Sequence, residues 1–165
     1  MRILQMILLV DPEKCTGCKL CEIACSIKNA GICSPTASRI HVVKWMRSGV
    51  YIPMVCQQCD SPICETVCPM DAIKRDEETG AMVIDYDRCV GCRMCAVFCP
   101  FGGVGIDATH GRVVKCELCW GDPVCVKFCS PEALLYVPAT SVNLMKQRVA
   151  AERFSELMKK MLAPP

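Results

Sequence analysis

The sequence is poor in aromatic residues and has no long apolar stretch. Phe, Trp and Tyr make up only 5% of its 165 residues, so an ordinary aromatic core is not expected. No apolar run approaches the roughly 18 residues that a membrane-spanning helix needs, and residues 3–10 are too short and contain Gln5. Runs of Lys and Arg with interleaved aromatic residues are also missing, so nothing supports nucleic-acid binding.

The first residues carry no export signal. They run directly into Asp11 without a small-residue cleavage site, and there is no twin-arginine leader. We therefore expect a cytoplasmic protein, because thiols stay reduced in that compartment. Export together with a partner that carries the leader stays open as an alternative.

Cysteine is what the sequence has in abundance, with 17 residues. Sixteen of them form four sets, spaced C-x2-C-x2-C-x3-C, C-x2-C-x4-C-x3-C, C-x2-C-x2-C-x3-C and C-x2-C-x5-C-x3-C. The first and third sets match the run that binds [4Fe–4S] clusters in bacterial ferredoxins. Four sets of four thiolates imply four [4Fe–4S] clusters. Electron transfer through such clusters needs no general base or nucleophile, so no catalytic residues are predicted. The predicted metal ligands are Cys15, Cys18, Cys21, Cys25, Cys56, Cys59, Cys64, Cys68, Cys89, Cys92, Cys95, Cys99, Cys116, Cys119, Cys125 and Cys129.

Disulfides and zinc are the alternative uses of these cysteines. Disulfides are disfavoured by the odd cysteine count, the missing export signal and the short gaps within each set. Zinc sites with four cysteines usually join two C-x2-C pairs across a longer gap, whereas here four thiols crowd into each short segment. Iron–sulfur clusters therefore explain the spacing better than either alternative.

The sequence repeats itself. Residues 9–18 and 83–92 share the pattern apolar-apolar-Asp-x-acid-base-Cys-x-Gly-Cys, and residues 62–68 resemble residues 123–129. Such a match indicates a duplicated structural unit with two sets of ligands. In each unit an apolar strand, residues 3–10 or 81–86, leads into a loop around a cluster, where Gly17 and Gly91 permit positive φ.

These patterns predict the α+β fold class, with duplicated bacterial-ferredoxin-like (βαβ-type) cluster-binding modules. A short helical stretch after the third cysteine is expected to carry the fourth, which in two-cluster ferredoxins binds the other cluster. Residues 39–45 and 49–55 are predicted to form an inserted β-hairpin with a turn at residues 47–49. The cluster domain should span residues 1–138.

Residues 139–165 are predicted to form a C-terminal amphipathic helix for subunit docking. Ser141 is its expected N-cap, and the helix should cover residues 142–162. Its apolar face would contain Ala150, Phe154, Leu157, Met158, Met161 and Leu162, and its basic face Lys146, Arg148, Arg153, Lys159 and Lys160. Packing on its own domain is the alternative, and self-association through this helix could even form a conductive filament.

The order of the four sets resembles that of iron–sulfur electron-transfer subunits in the dimethyl sulfoxide reductase family, over residues 9–137. Residues 115–125 read KCELCWGDPVC and are similar to K-C-x-L-C-x-G-D-P-x-C in the small ferredoxin-like subunits of tungsten-dependent aldehyde oxidoreductases. Dearomatising benzoyl-CoA reductases use similar subunits. The resemblance implies a large tungsten or molybdenum pterin catalytic subunit as partner, with a flavin subunit or a soluble redox carrier as a further partner.

The resemblance also implies a nested ligation. The four ligand groups would be Cys15, Cys18 and Cys21 with Cys129; Cys116, Cys119 and Cys125 with Cys25; Cys56, Cys59 and Cys64 with Cys99; and Cys89, Cys92 and Cys95 with Cys68. Pairing of the clusters within each half of the sequence uses the same sixteen cysteines and is the alternative. The lack of Pro after Cys25 and Cys129 alone fits a pairing of sets one and four.

The function expected from these features is relay of single electrons to or from the catalytic subunit of an aldehyde oxidoreductase. A formate dehydrogenase, a hydrogenase or a dimethyl sulfoxide reductase-type enzyme is the alternative partner. Lys14, Arg88 and Lys115 each precede the first cysteine of a set, so each is either a cation that raises a cluster's potential or a solvated loop residue. Cys33 lies outside the sets and is expected to be a small buried residue.

Overall fold

A computed structural model describes residues 5–108, 110–145, 147, 151, 152 and 155. These residues form a mixed α and β structure in which every sheet is an antiparallel pair of strands. The strands are β1 Met6–Val10, β2 Ile40–Trp45, β3 Val50–Val55, β4 Ile73–Arg75, β5 Met82–Ile84, β6 Val104–Asp107, β7 Arg112–Lys115 and β8 Leu134–Pro138. The helices are α1 Leu20–Ala30, α2 Ile63–Thr66, α3 Met94–Val97 and α4 Val124–Lys127, with a 3₁₀ turn at Pro35–Ala37 and a left-handed turn at Leu118, Cys119 and Trp120.

The two ends of the cluster-binding region pair with each other. Strand β1 lies antiparallel to β8, with Met6 opposite Pro138 and Val10 opposite Leu134. Strands β4 and β5 form the corresponding pair in the middle of the chain, with Ile73 opposite Ile84. Sets one and four therefore lie in one unit, which we call the outer unit, and sets two and three lie in the inner unit.

The repeated sequence makes repeated hydrogen bonds in the two units. The Asp11 N–H donates to the Ala133 carbonyl at 2.8 Å, and the Asp85 N–H donates to the Ala72 carbonyl at 2.7 Å. Each of these aspartates also accepts, at 3.0 Å, the N–H of the residue two positions later. The aspartate shared by the two matching segments thus closes the same turn before the first cysteine of each.

Left-handed backbone residues follow the same repeat. Lys19 and Arg93, directly after the second cysteine of sets one and three, have φ of 65° and 66°. Gln58 and Leu118, two residues after the first cysteine of sets two and four, have φ of 52° and 57°. A positive φ at non-glycine residues is uncommon, so its recurrence shows that the loops of matching sets turn alike at this residue. The loop of set four then differs from that of set two, because Cys119 and Trp120 also have positive φ.

The insert between the first two sets is a hairpin that covers thiols. Strands β2 and β3 occupy nearly the residues that the sequence indicated, and they pair from Ile40 opposite Val55 to Trp45 opposite Val50. The N–H of Val42 donates to the buried Glu22 carboxylate at 2.6 Å, which fastens β2 to α1. The inner face of the hairpin is buried, whereas Trp45 at its end is half exposed.

Two aliphatic and sulfur-rich cores replace an aromatic one. The core of the outer unit includes Leu8, Ile40, Val55 and Leu118 together with thiols, and that of the inner unit is built around Ile73 and similar residues. The tryptophans lie at the surface, with Trp45 50% and Trp120 62% exposed. The low aromatic content therefore matches a core in which cysteine side chains make up much of the volume.

The helices differ from expectation at three of the four sets. Cys25 lies on α1, but Cys68, Cys99 and Cys129 each follow the last residue of α2, α3 or α4 by two positions. The cause is the short length of those helices, which end one turn after they begin. The third cysteine, not the fourth, is the one that lies on a helix in every set.

Two further expectations were wrong. Cys33 is exposed rather than buried, because it follows α1 in an irregular surface segment. Ser141 is not an N-cap: residues 139–145 are all helical, and the Ser141 hydroxyl donates to the Pro138 carbonyl at 2.7 Å. The residues assigned to the two faces of the C-terminal helix all lie outside the described residues.

None of the helices in the described residues combines the length and the apolar character needed to cross a membrane.

Gly17 and Gly91 provide a matched test of the loop geometry. Both have positive φ, 68° and 71°, but a Cβ on Gly17 would lie 2.7 Å from a Tyr51 ring carbon of the hairpin, whereas a Cβ on Gly91 meets nothing within 4 Å. We expect Gly91→Ala to cost about 1–2 kcal/mol through the left-handed backbone alone. Gly17→Ala should cost roughly 1–3 kcal/mol more because the ring must move. Melting temperatures of the iron-loaded variants check this, and equal losses would contradict the close contact.

Candidate metal centres

Three cavities are each lined by four cysteines from two different sets. They enclose about 310, 320 and 340 Å³, part of it open to solvent. We call the corresponding thiols groups A, B and D. Group A is Cys15, Cys18, Cys21 and Cys129; group B is Cys25, Cys116, Cys119 and Cys125; group D is Cys68, Cys89, Cys92 and Cys95.

The remaining four cysteines form group C, which is Cys56, Cys59, Cys64 and Cys99. Burial raises the pKa of the Cys59 and Cys64 thiols, and the charges of Cys56 and Cys99 raise it further, so these four lie close together. A Cβ on Gly103 would lie 2.7 Å from the Cys56 Cα, while the Gly103 N–H donates to the Cys99 sulfur at 3.3 Å. The chain after set three is thus pressed against the start of set two.

The x3 gap sends the third and fourth cysteines of each set into different groups. Cys21 and Cys25 are four residues apart on α1, which is about 6 Å along a helix, and Cys21 belongs to group A while Cys25 belongs to group B. Set four does the reverse, because Cys125 lines group B and Cys129 lines group A. Sets two and three exchange their last cysteines between groups C and D in the same way. The cavities show the nested grouping for groups A, B and D, and group C takes the four cysteines that remain.

The groups follow one another in the order A, B, C, D. Burial raises the pKa of Cys125 in group B, and Cys21 of group A adds to the effect. Burial raises the pKa of Cys116 in group B to about 12, and Cys56 of group C contributes. The pKa of Cys95 in group D is raised by burial and by Cys64 of group C. Each neighbouring pair of groups is therefore close enough to interact electrostatically.

Several sulfur atoms accept hydrogen bonds from the chain. Cys25 Sγ accepts the Arg39 N–H at 3.3 Å and the Asn29 side-chain amide at 3.4 Å. Cys68 Sγ accepts the Ala72 N–H at 3.3 Å, the same relation, four residues apart, as Gly103 to Cys99. Such bonds stabilise negative charge on sulfur, and they are one way in which a protein adjusts the potential of a cluster.

The donor chemistry fits [4Fe–4S] clusters. All seventeen cysteines are unbridged, and sixteen of them line the four groups. Within the described residues, no three His, Cys, Asp or Glu side chains converge closely enough to hold one metal ion. Thiolates around zinc lie about 2.3 Å from the ion, whereas these thiols surround cavities. Groups A to D would each hold one cluster through four thiolates.

Burial makes the thiols reluctant to ionise without a metal. It raises the pKa of Cys21 to about 12, with smaller contributions from Glu22 and from nearby thiolates. Since a cluster binds thiolates, loading it must release protons and supply the positive charge that these buried sulfurs lack. The sites are therefore built for a cationic core.

A buried ion pair stands beside group B. The Arg39 guanidinium contacts the Glu117 carboxylate at 2.8 Å, and each side chain is 9% exposed. Both residues line the cavity of group B, and Arg39 also provides the N–H that binds Cys25. The pair joins the segment before β2 to the loop of set four, so it fixes two parts of the chain that supply ligands to one group.

The structure separates the three cations that precede a cysteine set. Lys14 and Arg88 are exposed, as expected for solvated loop residues, whereas Lys115 is fully buried. Arg39, Asn29 and Gln58 were not singled out in the sequence. Arg39 lies 14 residues after Cys25, whose sulfur accepts its N–H, so nothing in the sequence indicated this contact. Only the four-residue spacing of Cys25 and Asn29 on a predicted helix could have indicated the contact of Asn29.

Glu117 and Asp122 provide a matched pair of acidic residues in one loop. Glu117→Gln leaves the buried guanidinium without its counter-charge, which costs roughly 3–5 kcal/mol. Asp122 pairs with Lys127 at 2.5 Å, but those side chains are 68% and 58% exposed, so Asp122→Asn should cost about 0–1 kcal/mol. Thermal unfolding of the iron-loaded proteins measures the difference. Similar melting temperatures for the two variants would show that the Arg39 pair is not a structural element.

Two family models match the chain. A 4Fe-4S dicluster domain matches residues 47–138, and a 4Fe-4S binding domain matches residues 8–26. Together these segments contain all sixteen cysteines of the four sets. Binding of several [4Fe–4S] clusters is thereby confirmed.

Similar proteins are subunits of oxidoreductases. The polyferredoxin-like subunit of aliphatic sulfonate oxidoreductase from Pyrococcus furiosus is 43% identical over 122 residues, which cover 74% of this chain and 70% of that protein. The B subunit of anaerobic dimethyl sulfoxide reductase from Escherichia coli is 34% identical over 162 residues, covering 86% of this chain and 78% of that protein. The solved BamBC active-site complex of benzoyl coenzyme A reductase in complex with zinc has 25% identity and a TM-score of 0.49, covering 95% of this chain and 96% of that one. The chain belongs to the 4Fe-4S dicluster family and is an iron–sulfur electron-transfer subunit, not a catalytic enzyme by itself.

Proposed function

We propose that groups A to D hold four [4Fe–4S] clusters and that the chain relays single electrons along them to or from a tungsten or molybdenum pterin subunit. When bound, the clusters supply one-electron oxidation and reduction. The sixteen cysteines of the groups are the ligands. The cluster domain comprises residues 1–138, as two modules descended from one duplicated unit, and residues 139–165 form a segment for subunit docking.

The observation that supports this most is the exchange of fourth cysteines. Each group takes three thiols from one set and the fourth from its partner set, so every set contributes to two groups. An electron wire needs adjacent carriers, and this exchange links the two groups of each unit through cysteines that are only four residues apart in the sequence. Groups B and C then bring the two units together.

The protein contributes insulation and tuning. Val42 and Pro53 of the hairpin line group A, and Ile40 and Val55 line group B, so aliphatic side chains cover one side of each of these groups. Hydrogen bonds to the sulfurs of Cys25, Cys68 and Cys99 adjust the charge at their groups. Aliphatic lining and hydrogen bonds to sulfur are what electron transfer requires of a protein, since it needs no general base and no nucleophile.

Two observations support the choice of partner. The relative from Pyrococcus furiosus is named a subunit of an oxidoreductase, and it is 43% identical to this chain. Residues 115–125 are similar to the corresponding stretch in subunits of tungsten-dependent aldehyde oxidoreductases. An aldehyde oxidoreductase is the partner that we favour. A dimethyl sulfoxide reductase-type enzyme is the second candidate, because the Escherichia coli relative covers more of this chain.

Metal analysis of the native complex tests the whole proposal. We expect about sixteen irons for each polypeptide, as four [4Fe–4S] clusters require. A larger subunit should co-purify under anaerobic conditions, and tungsten should exceed molybdenum in the complex. Far fewer irons would reject the four clusters, whereas molybdenum in place of tungsten would favour the second partner.

Single ligand substitutions test the assignment of cysteines to groups. Cys18→Ala and Cys129→Ala should alter the same reduction step in a titration followed by electron paramagnetic resonance, since both belong to group A. Cys92→Ala and Cys68→Ala should share a different step, that of group D. If Cys68→Ala instead altered the step that Cys18→Ala alters, the clusters would be paired within the halves of the sequence and the nested assignment would be wrong.

A further inference from the structure

Lys115 is a fully buried lysine at the end of β7, directly before Cys116 of group B. It is 0% exposed. The ammonium donates to the carbonyl oxygens of Met82 and Cys116, the second at 3.1 Å. Lysine is almost never fully buried unless it is paired, so a buried ammonium that binds carbonyls needs a compensating negative charge nearby.

The ammonium sits in one hydrogen-bonded network with group C. The Gln58 side chain donates to the same Cys116 carbonyl at 2.9 Å and accepts the Met82 N–H at 2.8 Å. Gln58 directly precedes Cys59 of group C, and it is itself 1% exposed. Lys115 and Gln58 thus connect the loops of groups B and C, because both side chains bind the Cys116 carbonyl and the backbone of Met82.

The Lys115 charge reaches thiols on both sides of this junction. Burial raises the pKa of Cys64 and Cys59 in group C, and the Lys115 charge acts against that rise. At Cys116 of group B, burial also raises the thiol pKa most, and the Lys115 charge again lowers it. None of the ion pairs among the described residues includes Lys115.

We propose that the Lys115 ammonium is a fixed positive charge shared by the clusters of groups B and C, and that it raises both reduction potentials. This inference rests on the proposed function, which places clusters in those groups. A cluster with four thiolates is already negative, and each one-electron reduction adds a further negative charge. A cation in the poorly polarisable interior stabilises that added charge strongly. The electron comes from a reductant or redox partner.

Lys115→Met removes the charge and keeps an unbranched side chain of similar length. In an anaerobic titration with dithionite, followed by electron paramagnetic resonance, we expect two of the four reduction steps to move to lower potential. Each should lose at least tenfold in its equilibrium constant, which is about 59 mV for one electron. Cys18→Ala and Cys92→Ala, which each alter a ligand of group A or D, identify the two steps that should stay unchanged.

Lys14→Met is the matched control, because Lys14 also precedes the first cysteine of a set but is exposed. It should leave all four steps in place, since solvent screens its charge. The proposal is overturned if Lys115→Met moves no step, moves all four equally, or moves the steps of groups A and D. It is equally overturned if Lys14→Met produces the same shifts.

Loss of clusters has its own outcome. If Lys115→Met fails to hold about sixteen irons, Lys115→Gln, which keeps a donor for the two carbonyls, is titrated in its place. Loss of clusters from both variants would make Lys115 a structural lysine and reject the electrostatic role. Wild-type protein with far fewer irons would instead reject the proposed function itself, so the two failures are distinguishable.

Discussion

The reach of the fourth cysteine determines this fold. The third cysteine of each set lies on a helix, and the fourth, four residues later in the sequence, belongs to a neighbouring group rather than to the centre that the first three thiols surround. Each centre must therefore take its fourth thiol from another segment of the chain. Cys129 completes the group that begins at Cys15, and the pairing of β1 with β8 follows because their loops must meet there. The inner unit, with β4 and β5, lies between these ends in the sequence.

The cores depend on the same centres. Each aliphatic core includes cysteine side chains whose burial raises their pKa, and the few polar residues inside, such as Gln58 and Lys115, are bonded to backbone groups of the cysteine loops. A core of this kind is incomplete without the positive charge of a cluster, so metal binding contributes directly to folding free energy. The scarcity of aromatic residues is understandable, since the clusters take the place of large side chains.

The sequence predicted what is local and missed what depends on distance. The cysteine sets, the hairpin segments and the positive φ of Gly17 and Gly91 all follow from neighbouring residues. The sequence did not decide between nested and within-half grouping, because both use the same sixteen cysteines. Lys14 and Lys115 look alike in sequence, yet one is exposed and the other buried, since the Lys115 side chain at the end of β7 reaches the Met82 carbonyl of β5. The surface position of Cys33 and the start of the last helix at residue 139 were also missed.

The duplication makes the charge at the junction more informative. Sets two and four match, so the residue that corresponds to Lys115 is Val55, directly before Cys56. Val55 is 1% exposed and Lys115 is 0% exposed, so the fold buries this position in both units whatever residue occupies it. An aliphatic side chain satisfies that burial at lower free-energy cost than an ammonium. The cation is therefore not a requirement of packing, and its place between groups B and C points to a role in distributing charge along the centres.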